Sequence, residues 1–267
     1  MDEYRAANQR LWDEYAEVNS RSEMYDLPGF LQGRRGLHDL EIEELGPVQG
    51  KSLLHLQCHF GMDSISWARM GAQVTAVDFS EKAIRLARSL SEQVRVPARF
   101  IQSDIYALPQ VLDEQFDIVF TSYGVLTWLS DLRGWAGIVS RYLKPGGTFY
   151  IAEFHPTAML FDDMGSQPQL HYPYWNDGPI ACDVQGSYAD PQANIQEKKS
   201  YEWAYPLGEV VTNLIEAGLH IQFLHEQPYA CYQMFPFLVE GADGLWRLPP
   251  GVPVIPLQFS LKAKKII

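Results

Sequence analysis

The chain has 267 residues, and its 21 lysines and arginines against 33 aspartates and glutamates give a formal net charge of −12. With 46% hydrophobic and 20% charged residues, the composition is that of a globular protein and excludes wholesale disorder. Nucleic acids and anionic membranes are poor partners for such a charge, because their binding depends on clustered Lys and Arg. A small neutral or cationic substrate fits better.

Targeting signals are not expected. No stretch approaches 18 uncharged apolar residues, and the first residues, MDEYRAANQRLWDEYAEV, are acidic and polar, so neither a membrane span nor a secretory signal is predicted. Cys58, Cys182 and Cys231 are too few and too scattered for a disulfide framework. These features predict a cytoplasmic protein.

The predicted elements divide the chain into four parts. Residues 1–48 are expected to form a helical cap, with helices at about Asp2–Val18 and Leu37–Leu45. Residues 49–154 alternate short apolar runs with helix-like segments, which is typical of βαβ units and a parallel sheet. Strands are predicted at Ser52–Gln57, Gln73–Asp78, Arg99–Gln102, Phe116–Thr121 and Thr148–Phe154.

Helices are predicted between these strands. One runs from about Asp63 to Met70, and another follows an N-cap at Ser80. A third extends from about Leu132 to Tyr142, where Lys144-Pro145-Gly146-Gly147 provide a stop and a turn.

The last two parts differ in pattern. Residues 155–205 are rich in Pro, Tyr, Trp, Asp and Gly with little periodicity, and a loop region this long is usually a lid or a binding insertion. In residues 206–267 the alternation resumes, with a helix at Leu207–Ala217 and strands at Leu219–Leu224 and Leu257–Lys262. About 30 turn-rich residues separate the two strands, so we expect antiparallel pairing.

The candidate binding residues follow the predicted strands. In an open parallel sheet, ligands bind beyond the carboxyl ends of the strands, where the strand order reverses. Asp78 lies 21 residues after Gln57, a separation typical of a carboxylate that binds nucleoside ribose hydroxyls; the alternatives are a solvated loop residue or a helix cap. Asp104 is placed to accept a hydrogen bond from an exocyclic amine, and its alternative is a helix N-cap.

At this point the sequence resembles the class I S-adenosylmethionine-dependent methyltransferases, in the broad UbiE-like or type 11 group. The resemblance covers residues 50–154 and, more weakly, 206–264. It rests on five motifs in the right order: Leu54-His55-Leu56-Gln57-Cys58-His59-Phe60-Gly61, Val77-Asp78-Phe79-Ser80, Ser103-Asp104-Ile105, Phe116-Asp117-Ile118-Val119 and Leu143-Lys144-Pro145-Gly146-Gly147.

The resemblance implies an α/β fold, with a doubly wound, mostly parallel seven-stranded sheet whose last strand is antiparallel, plus N-terminal helices and an inserted cap. It also implies S-adenosylmethionine as cofactor, S-adenosylhomocysteine as product and a small-molecule methyl acceptor. The implied cofactor-binding residues follow the first four strands and are Gln57, Cys58, His59, Gly61, Asp78, Phe79, Asp104, Ile105 and Ser122.

The first motif departs from the family pattern. His55 replaces the usual Asp, Gln57 the first Gly and His59 the second, so only Gly61 remains. Glycine serves there because it permits positive φ and close approach of the ligand. Histidine is enriched among the non-glycine residues that adopt positive φ, so His59 is tolerable, and Gln57 is a candidate to bond the amino-acid end of the ligand.

A metal site is the alternative explanation of His55, Cys58 and His59, since two imidazoles and a thiolate are competent zinc ligands. However, these residues straddle a strand-to-loop bend, and no second Cys or His cluster lies nearby in the sequence. No metal is therefore predicted, and Cys58 is interpreted as a small buried residue.

Methyl transfer from a sulfonium is an in-line displacement that depends on holding the reactants collinear and dry, so an aromatic, water-excluding chamber is expected. The alternative is that these rings fill core between the cap and the sheet. The candidates are Trp12, Tyr15, Tyr25 and Phe30 in the N-terminal segment and Tyr172, Tyr174, Trp175 and Tyr188 in the insertion.

Catalytic and acceptor-binding residues are expected near the fourth and fifth strands. If the acceptor must lose a proton, His155 is the first choice as base; its alternative is a structural histidine. Tyr123 is its catalytic companion, and Trp128 lines the acceptor site beside it. Tyr172 and Trp175 are the predicted substrate contacts from the insertion.

Two other functions are open. A nicotinamide-dependent oxidoreductase would need Gly-x-Gly-x-x-Gly at the first turn, whereas only Gly61 is present. A non-catalytic nucleoside-binding module would explain the lost glycines, although both Asp78 and Asp104 are retained. The acceptor atom (oxygen, nitrogen, sulfur or carbon) and the oligomeric state are left open, but Thr121-Ser122-Tyr123-Gly124 lacks the Pro-Pro-aromatic run of family members that methylate DNA bases.

Overall fold

A central β-sheet organises the computed structural model, which describes residues 2–162 and 165–266. The strands of the described residues are β1 Ser52–Leu56, β2 Gln73–Asp78, β3 Arg99–Gln102, β4 Phe116–Ser122, β5 Leu143–Phe154, β6 Ile180–Asp183, β7 Lys199–Glu202, β8 Leu219–Gln227, β9 Val239–Glu240, β10 Trp246–Arg247 and β11 Gln258–Lys265. Seven of them form the main sheet, and the pairs β6–β7 and β9–β10 are separate two-stranded sheets.

The helices are α1 Glu3–Asn19, α2 Leu27–Leu31, α3 Asp39–Leu45, α4 Met62–Arg69, α5 Glu81–Val94, α6 Leu132–Tyr142 and α7 Leu207–Glu216, with short 3₁₀ turns at Ile105–Gln110, Leu126–Trp128 and Ala158–Leu160. Within the described ranges, none of the helices is long and apolar enough to cross a membrane. Ser80 caps α5 as the sequence predicts, since its Oγ accepts a hydrogen bond from the backbone N–H of Ala83.

The strand order in the main sheet is β3-β2-β1-β4-β5-β11-β8. Strands β1 to β5 pair in parallel, whereas β11 is antiparallel to both β5 and β8. The predicted seven-stranded sheet with an antiparallel last strand is confirmed, as is the antiparallel pairing of the last two strands. The order reverses between β1 and β4, so the crevice at their carboxyl ends is the position where such sheets bind ligands.

Helices cover both faces of the sheet. On one face, α6 and α7 enclose a core that includes Trp135, Tyr142 and Leu214. On the other face, α4 and α5 pack together with Phe30 of α2 and Leu45 of α3. Part of the N-terminal segment therefore shares the core of the sheet.

Strand β5 begins five residues earlier than the sequence predicts. Leu143 pairs with Phe116 and Thr148 pairs with Ile118, so four residues, 144–147, bulge out where the partner strand has one. Gly146 has a φ of +75° within this bulge, a conformation that glycine adopts without a steric penalty. The turn signal is therefore correct, but the turn is built into the start of the strand.

The insertion at 155–205 carries the β6–β7 hairpin, which packs against α1. The side-chain amide of Asn8 bonds the backbone of Tyr201 in both directions, donating to its carbonyl at 2.7 Å and accepting from its N–H at 2.9 Å. The backbone N–H groups of Gln196 and Glu197 donate to the carboxylate of Glu14. These bonds hold α1 between the hairpin and the sheet.

Candidate functional site

A cavity of about 480 Å³ opens at the carboxyl ends of β1, β2, β3 and β4. Helix α1, the segment that follows it and the connection between β8 and β9 close it from above. Many of the predicted site residues line this cavity, namely Gln57, Cys58, His59, Gly61, Asp78, Phe79, Asp104, Ile105, Ser122, Tyr123 and Trp128.

The loop after β1 has an alternating left-handed backbone. Gln57, His59 and Gly61 have φ values of +57°, +52° and +78°. The family's glycine positions thus keep their conformation although two of them carry side chains, a strain of about 1 kcal/mol or more for each. The side-chain amide of Gln57 donates to the carbonyl of Val125 at 3.1 Å, which ties the loop to the segment after β4.

Gly61 is the one position of this loop where a side chain does not fit. A Cβ atom would lie 2.7 Å from Cε1 of Phe100 and 3.0 Å from Cβ of Ala87. Close packing of the start of α4 against β3 and α5 therefore requires glycine here, independently of any ligand.

Asp78 is buried at the end of β2 and holds the neighbouring loop. Its Oδ2 accepts the backbone N–H of His59 at 2.8 Å, and its Oδ1 accepts that of Ser80 at 2.9 Å. Burial raises the pKa of Asp78 to about 6, against the opposing effect of these two donors. Asp78 is therefore not a solvated loop residue, and Ser80 takes the helix-capping role.

Asp104 caps the 3₁₀ turn that follows β3, which was the alternative to its predicted role in binding an exocyclic amine. Its Oδ1 accepts the backbone N–H of Tyr106 at 2.8 Å, at the start of a 3₁₀ turn. In addition, Nη1 of Arg5 lies 3.1 Å from Oδ2, and this ion pair joins α1 to the end of β3. The carboxylate still forms part of the cavity wall.

Helix α1 covers the side of the cavity above β2 and β3. The side-chain amide of Gln9 donates to the carbonyl of Phe79 at 2.7 Å. The carboxylate of Asp13 accepts from the hydroxyl of Ser80 at 2.6 Å and from the backbone N–H of Lys82 at 3.1 Å. Together with the Arg5–Asp104 pair, these bonds make α1 the cover of this part of the cavity.

Aromatic rings form the wall next to α1. The ring of Trp12 lies edge-on to His59 at 5.2 Å and to Trp128 at 5.3 Å between ring centroids. The hydroxyls of Tyr25 and Tyr188 are hydrogen-bonded to each other. All five residues line the cavity, so the expected aromatic chamber draws on both the N-terminal segment and the insertion.

His155 is not placed at the cavity. Its Nδ1 bonds Thr157 at 2.8 Å, and its Nε2 lies 2.8 Å from a carboxylate oxygen of Glu226. The side chain is buried against β11, with its ring 6.2 Å from that of Phe259. The prediction of a base at this position is corrected: β5 ends in the sheet, and the geometry here is that of a structural histidine.

Tyr172 and Trp175 are likewise outside the cavity-lining set. Trp175 is 72% exposed, and its ring packs on Tyr174; the ring of Tyr172 packs on His171. The predicted substrate contacts of these two residues are therefore corrected, because this part of the insertion lies along the surface. Tyr188 and Glu202, further along the insertion, do line the cavity, as does Met159 near its start.

Three carboxyl groups near the cavity, those of the half-buried Asp63 and of the buried Glu41 and Glu153, were not singled out from the sequence. Asp63 lines the cavity and accepts a hydrogen bond from the hydroxyl of Ser122 at 3.0 Å. Glu41 is fully buried in α3, and burial together with the charge of Asp63 raises its pKa to about 8. Glu153 is 1% exposed at the end of β5. The residues that surround these carboxyl groups come from distant parts of the sequence, so no local sequence pattern indicated where the groups lie.

Glu153 fixes the loop after β4. Its carboxylate accepts backbone N–H groups from Gly124, Val125, Leu126 and Phe154. Burial raises the pKa of Glu153, and these four donors act in the opposite direction. The carboxylate thereby holds the backbone that carries Tyr123 and Trp128.

The last wall comes from the connection that follows β8. This connection and the loop after β1 both line the cavity, and the lining residues of the connection are Cys231, Tyr232, Met234 and Phe235. The ring of Tyr232 lies edge-on to that of Phe154 at 5.5 Å. Burial raises the pKa of the Tyr123 hydroxyl well above its usual value, and the nearby Glu41 carboxylate acts in the same direction. This half of the cavity is apolar, with few polar groups.

The sequence is similar to known methyltransferases over part of its length. A family model described as a methyltransferase domain matches residues 54–151. The chain is 32% identical over 158 residues to a malonyl-[acyl-carrier protein] O-methyltransferase of Pseudescherichia vulneris, covering 58% of this chain and 56% of that protein. It is 36% identical over 114 residues to a ubiquinone biosynthesis O-methyltransferase of Paramagnetospirillum magneticum, covering 42% and 44%. The matches thus span about half the length of these relatives.

Solved structures share the fold. An S-adenosylmethionine-dependent methyltransferase from Clostridium acetobutylicum superimposes with a TM-score of 0.59 at 14% identity, over 96% of this chain and 99% of that one. The glycopeptide N-methyltransferase MtfA, solved with S-adenosyl-L-methionine, superimposes with a TM-score of 0.54 at 17% identity, over 86% and 92%. At such identities the likeness is one of fold.

Proposed function

We propose that this chain, whose residues 54–151 match a methyltransferase domain model, is a class I S-adenosylmethionine-dependent methyltransferase that transfers a methyl group from S-adenosylmethionine to a small-molecule acceptor by in-line displacement. The observation that carries the proposal is the single cavity at the strand ends, which brings the carboxylates of Asp78 and Asp104 together with an aromatic wall. When bound, S-adenosylmethionine supplies an electrophilic methyl group on a sulfonium.

The cavity wall offers unused polar atoms for such a ligand. Oε1 of Gln57, Nε2 of His59 and Nε1 of Trp12 are buried and make no hydrogen bond to the described residues. Buried polar atoms are nearly always paired, so atoms of this kind beside a cavity favour a bound molecule that pairs with them. The residues present therefore fit a nucleoside ligand with polar groups at several points.

We assign Asp78 to the ribose hydroxyls, because a carboxylate oxygen that accepts one backbone N–H retains a second lone pair. Asp104 and Ile105 border the adenine side, under the cover of Arg5. Gln57, Cys58, His59, Gly61, Phe79 and Ser122 complete the proposed cofactor wall. Trp12, Trp128 and Tyr188 exclude water from the reacting atoms, which strengthens electrostatic interactions in the chamber.

The acceptor is assigned to the apolar half of the cavity, between Tyr123 and Tyr232. The only arginines that line the cavity in the described chain are already paired, Arg5 with Asp104 and Arg34 with Asp26. Carboxylates outnumber these cations along the wall. A neutral or cationic small acceptor is favoured over an anionic one, since an anion would find no unpaired positive charge here. We keep the prediction of a cytoplasmic location with this proposal.

Calorimetric titration with S-adenosylmethionine, S-adenosylhomocysteine and NADH tests the proposal. We expect the first two to bind and NADH not to bind. Binding of NADH alone would overturn the methyltransferase assignment, and binding of no nucleoside would favour a scaffold with the fold of an enzyme.

The Asp78→Asn variant tests whether Asp78 binds the ribose hydroxyls. It keeps the shape of the side chain and removes the charge, and we expect cofactor affinity to fall by about tenfold or more, because hydrogen bonds to charged groups are worth about 1.5–3 kcal/mol. Unchanged affinity in a variant that folds normally would remove Asp78 from the ribose site.

A further inference from the structure

Asp63 stands in the first turn of α4 and faces the cavity at the point where the strand order reverses. Its Oδ2 accepts the hydroxyl of Ser122, the last residue of β4, at 3.0 Å. No described residue makes a hydrogen bond to Oδ1. The nearby Gly36 has no side chain, and a Cβ there would lie 2.6 Å from Oδ1. The fold thus keeps a carboxylate at the crevice with one oxygen held and the other available.

The position of Asp63 relative to Asp78 defines which part of a ligand it meets. Asp78 ends β2 on one side of β1, whereas Ser122 ends β4 on the other side. The end of β4 is joined to that of β1, since the hydroxyl of Thr121 donates to the carbonyl of Leu56 at 2.9 Å. A nucleoside held by Asp78 above β2 therefore directs its other end across β1, toward Ser122 and Asp63.

Among the described residues, the hydroxyl of Ser122 is the one group found to lower the pKa of Asp63, and it carries no positive charge. Burial raises the pKa of Asp63 to about 6, and the bond from Ser122 acts in the opposite direction. The negative charge of Asp63 raises the pKa values of four neighbouring groups. These groups are Tyr25 before α2, Glu41 in α3, Cys58 after β1 and Cys231 after β8. None of these carries a positive charge in any protonation state. A buried carboxylate without a cation is stabilised when a positively charged donor enters the cavity.

We propose that Asp63 binds the α-ammonium group at the amino-acid end of S-adenosylmethionine, with Ser122 fixing the orientation of its carboxylate. This inference rests on the proposed function and adds a residue outside the glycine-loop motif. The first motif of this sequence lacks two glycines and an Asp of the family pattern. The proposal explains how the cavity still recognises the charged end of the ligand, because Asp63 of α4 provides the contact.

Comparing two ligands distinguishes binding of the α-ammonium by Asp63 from a general effect of the substitution on the fold. S-adenosylhomocysteine carries the amino-acid end, whereas 5′-methylthioadenosine has the same adenosine and a thioether but neither ammonium nor carboxylate. Their dissociation constants are measured by calorimetry at pH 7.5 for wild type, Asp63→Asn and Asp63→Glu. Asp113→Asn, whose side chain is 99% exposed, controls for loss of one negative charge.

We expect Asp63→Asn to weaken S-adenosylhomocysteine by about 10- to 100-fold and 5′-methylthioadenosine by less than twofold, since only the first ligand loses a charged partner. Asp63→Glu should recover part of the affinity, and Asp113→Asn should match wild type. Equal loss for both ligands, or no loss for either, overturns the proposal. If wild type binds neither ligand, the proposed function itself fails, which is a distinguishable result.

The pH dependence gives a second readout that a structural role would not produce. The ionised carboxylate binds an ammonium and the protonated form does not, so wild-type affinity for S-adenosylhomocysteine should rise as pH increases from 5 to 7. Burial also raises the pKa of Asp78 to about 6, but the contribution of Asp78 applies to both ligands. The ratio of the two affinities should therefore rise with pH in wild type and stay constant in Asp63→Asn. A constant ratio in wild type contradicts the assignment.

Discussion

The fully buried Glu41 should make the stability of this protein fall as pH rises. Both of its carboxylate oxygens are buried, and burial outweighs the hydroxyl of Tyr123 and the backbone of His38, which act to lower its pKa. Burial and the charge of Asp63 raise its pKa to about 8 from its ordinary value of 4.5. At neutral pH the folded protein therefore keeps a proton on Glu41, which the unfolded chain releases.

The sign and size follow from proton linkage. For an acid whose pKa is raised on folding, the favourable contribution is complete below the unfolded value and is lost as pH rises through the folded value. Between pH 4.5 and 8 the loss is about 1.36 kcal/mol per pH unit, so about 4 kcal/mol has been lost at pH 8. Glu41→Gln, which is neutral at every pH and has nearly the same shape, should remove this slope.

Denaturant unfolding, followed by circular dichroism at pH 5, 6, 7 and 8 and constant ionic strength, measures the effect. We expect Glu41→Gln to resemble wild type at pH 5 and to be more stable by about 3–4 kcal/mol at pH 8. Glu43→Gln is the matched control, because Glu43 is exposed on the same helix. The contribution of Asp78 is common to all three proteins. Parallel pH profiles for wild type and Glu41→Gln would refute the reasoning.

Three further outcomes are expected. Gly61→Ala should lower the free energy of unfolding by about 2–4 kcal/mol, through its positive φ and its contact with Phe100, and an unchanged denaturation midpoint would contradict this. Glu153→Gln should cost about 2–3 kcal/mol, because an amide cannot replace a carboxylate that accepts four N–H groups; denaturation at pH 7 checks it. Arg5→Met should speed dissociation of S-adenosylhomocysteine about fivefold in stopped-flow measurements, since it removes a bond to Asp104 that holds α1 closed. Equal dissociation rates would show that α1 is not the cover.

The sheet and its ligand-facing edge were predictable because both follow from local patterns and one general rule. Each strand is a short apolar run bounded by turn residues, and the carboxyl ends of parallel strands meet at one edge. That rule alone placed Gln57, Asp78, Asp104 and Ser122 on the wall of one cavity. The positive φ at His59 was anticipated from the glycine position that it occupies.

Partners distant in sequence were not predictable in the same way. Asp104 pairs with Arg5, 99 residues away, because α1 docks over β3, and nothing in the local sequence of either residue encodes that docking. Asp63, Glu41 and Glu153 are charged residues that a sequence pattern places on a surface by default. Their burial depends on how the N-terminal segment and the loop after β4 close around the cavity.

The acceptor side shows how topology supplies what residue patterns lack. His155 was chosen because it directly follows β5, and Tyr172 and Trp175 were chosen as aromatic residues of the insertion. None of the three is among the residues that line the cavity. The antiparallel β11 inserts between β5 and β8, which makes β8 parallel to β5. The end of β8 therefore lies at the same edge as the ends of β1 and β4, and the residues that follow it, among them Tyr232, are the ones delivered to the cavity. The predicted antiparallel pairing of the last two strands already contained this consequence, so sequence reasoning would have found this wall by following strand direction rather than the insertion.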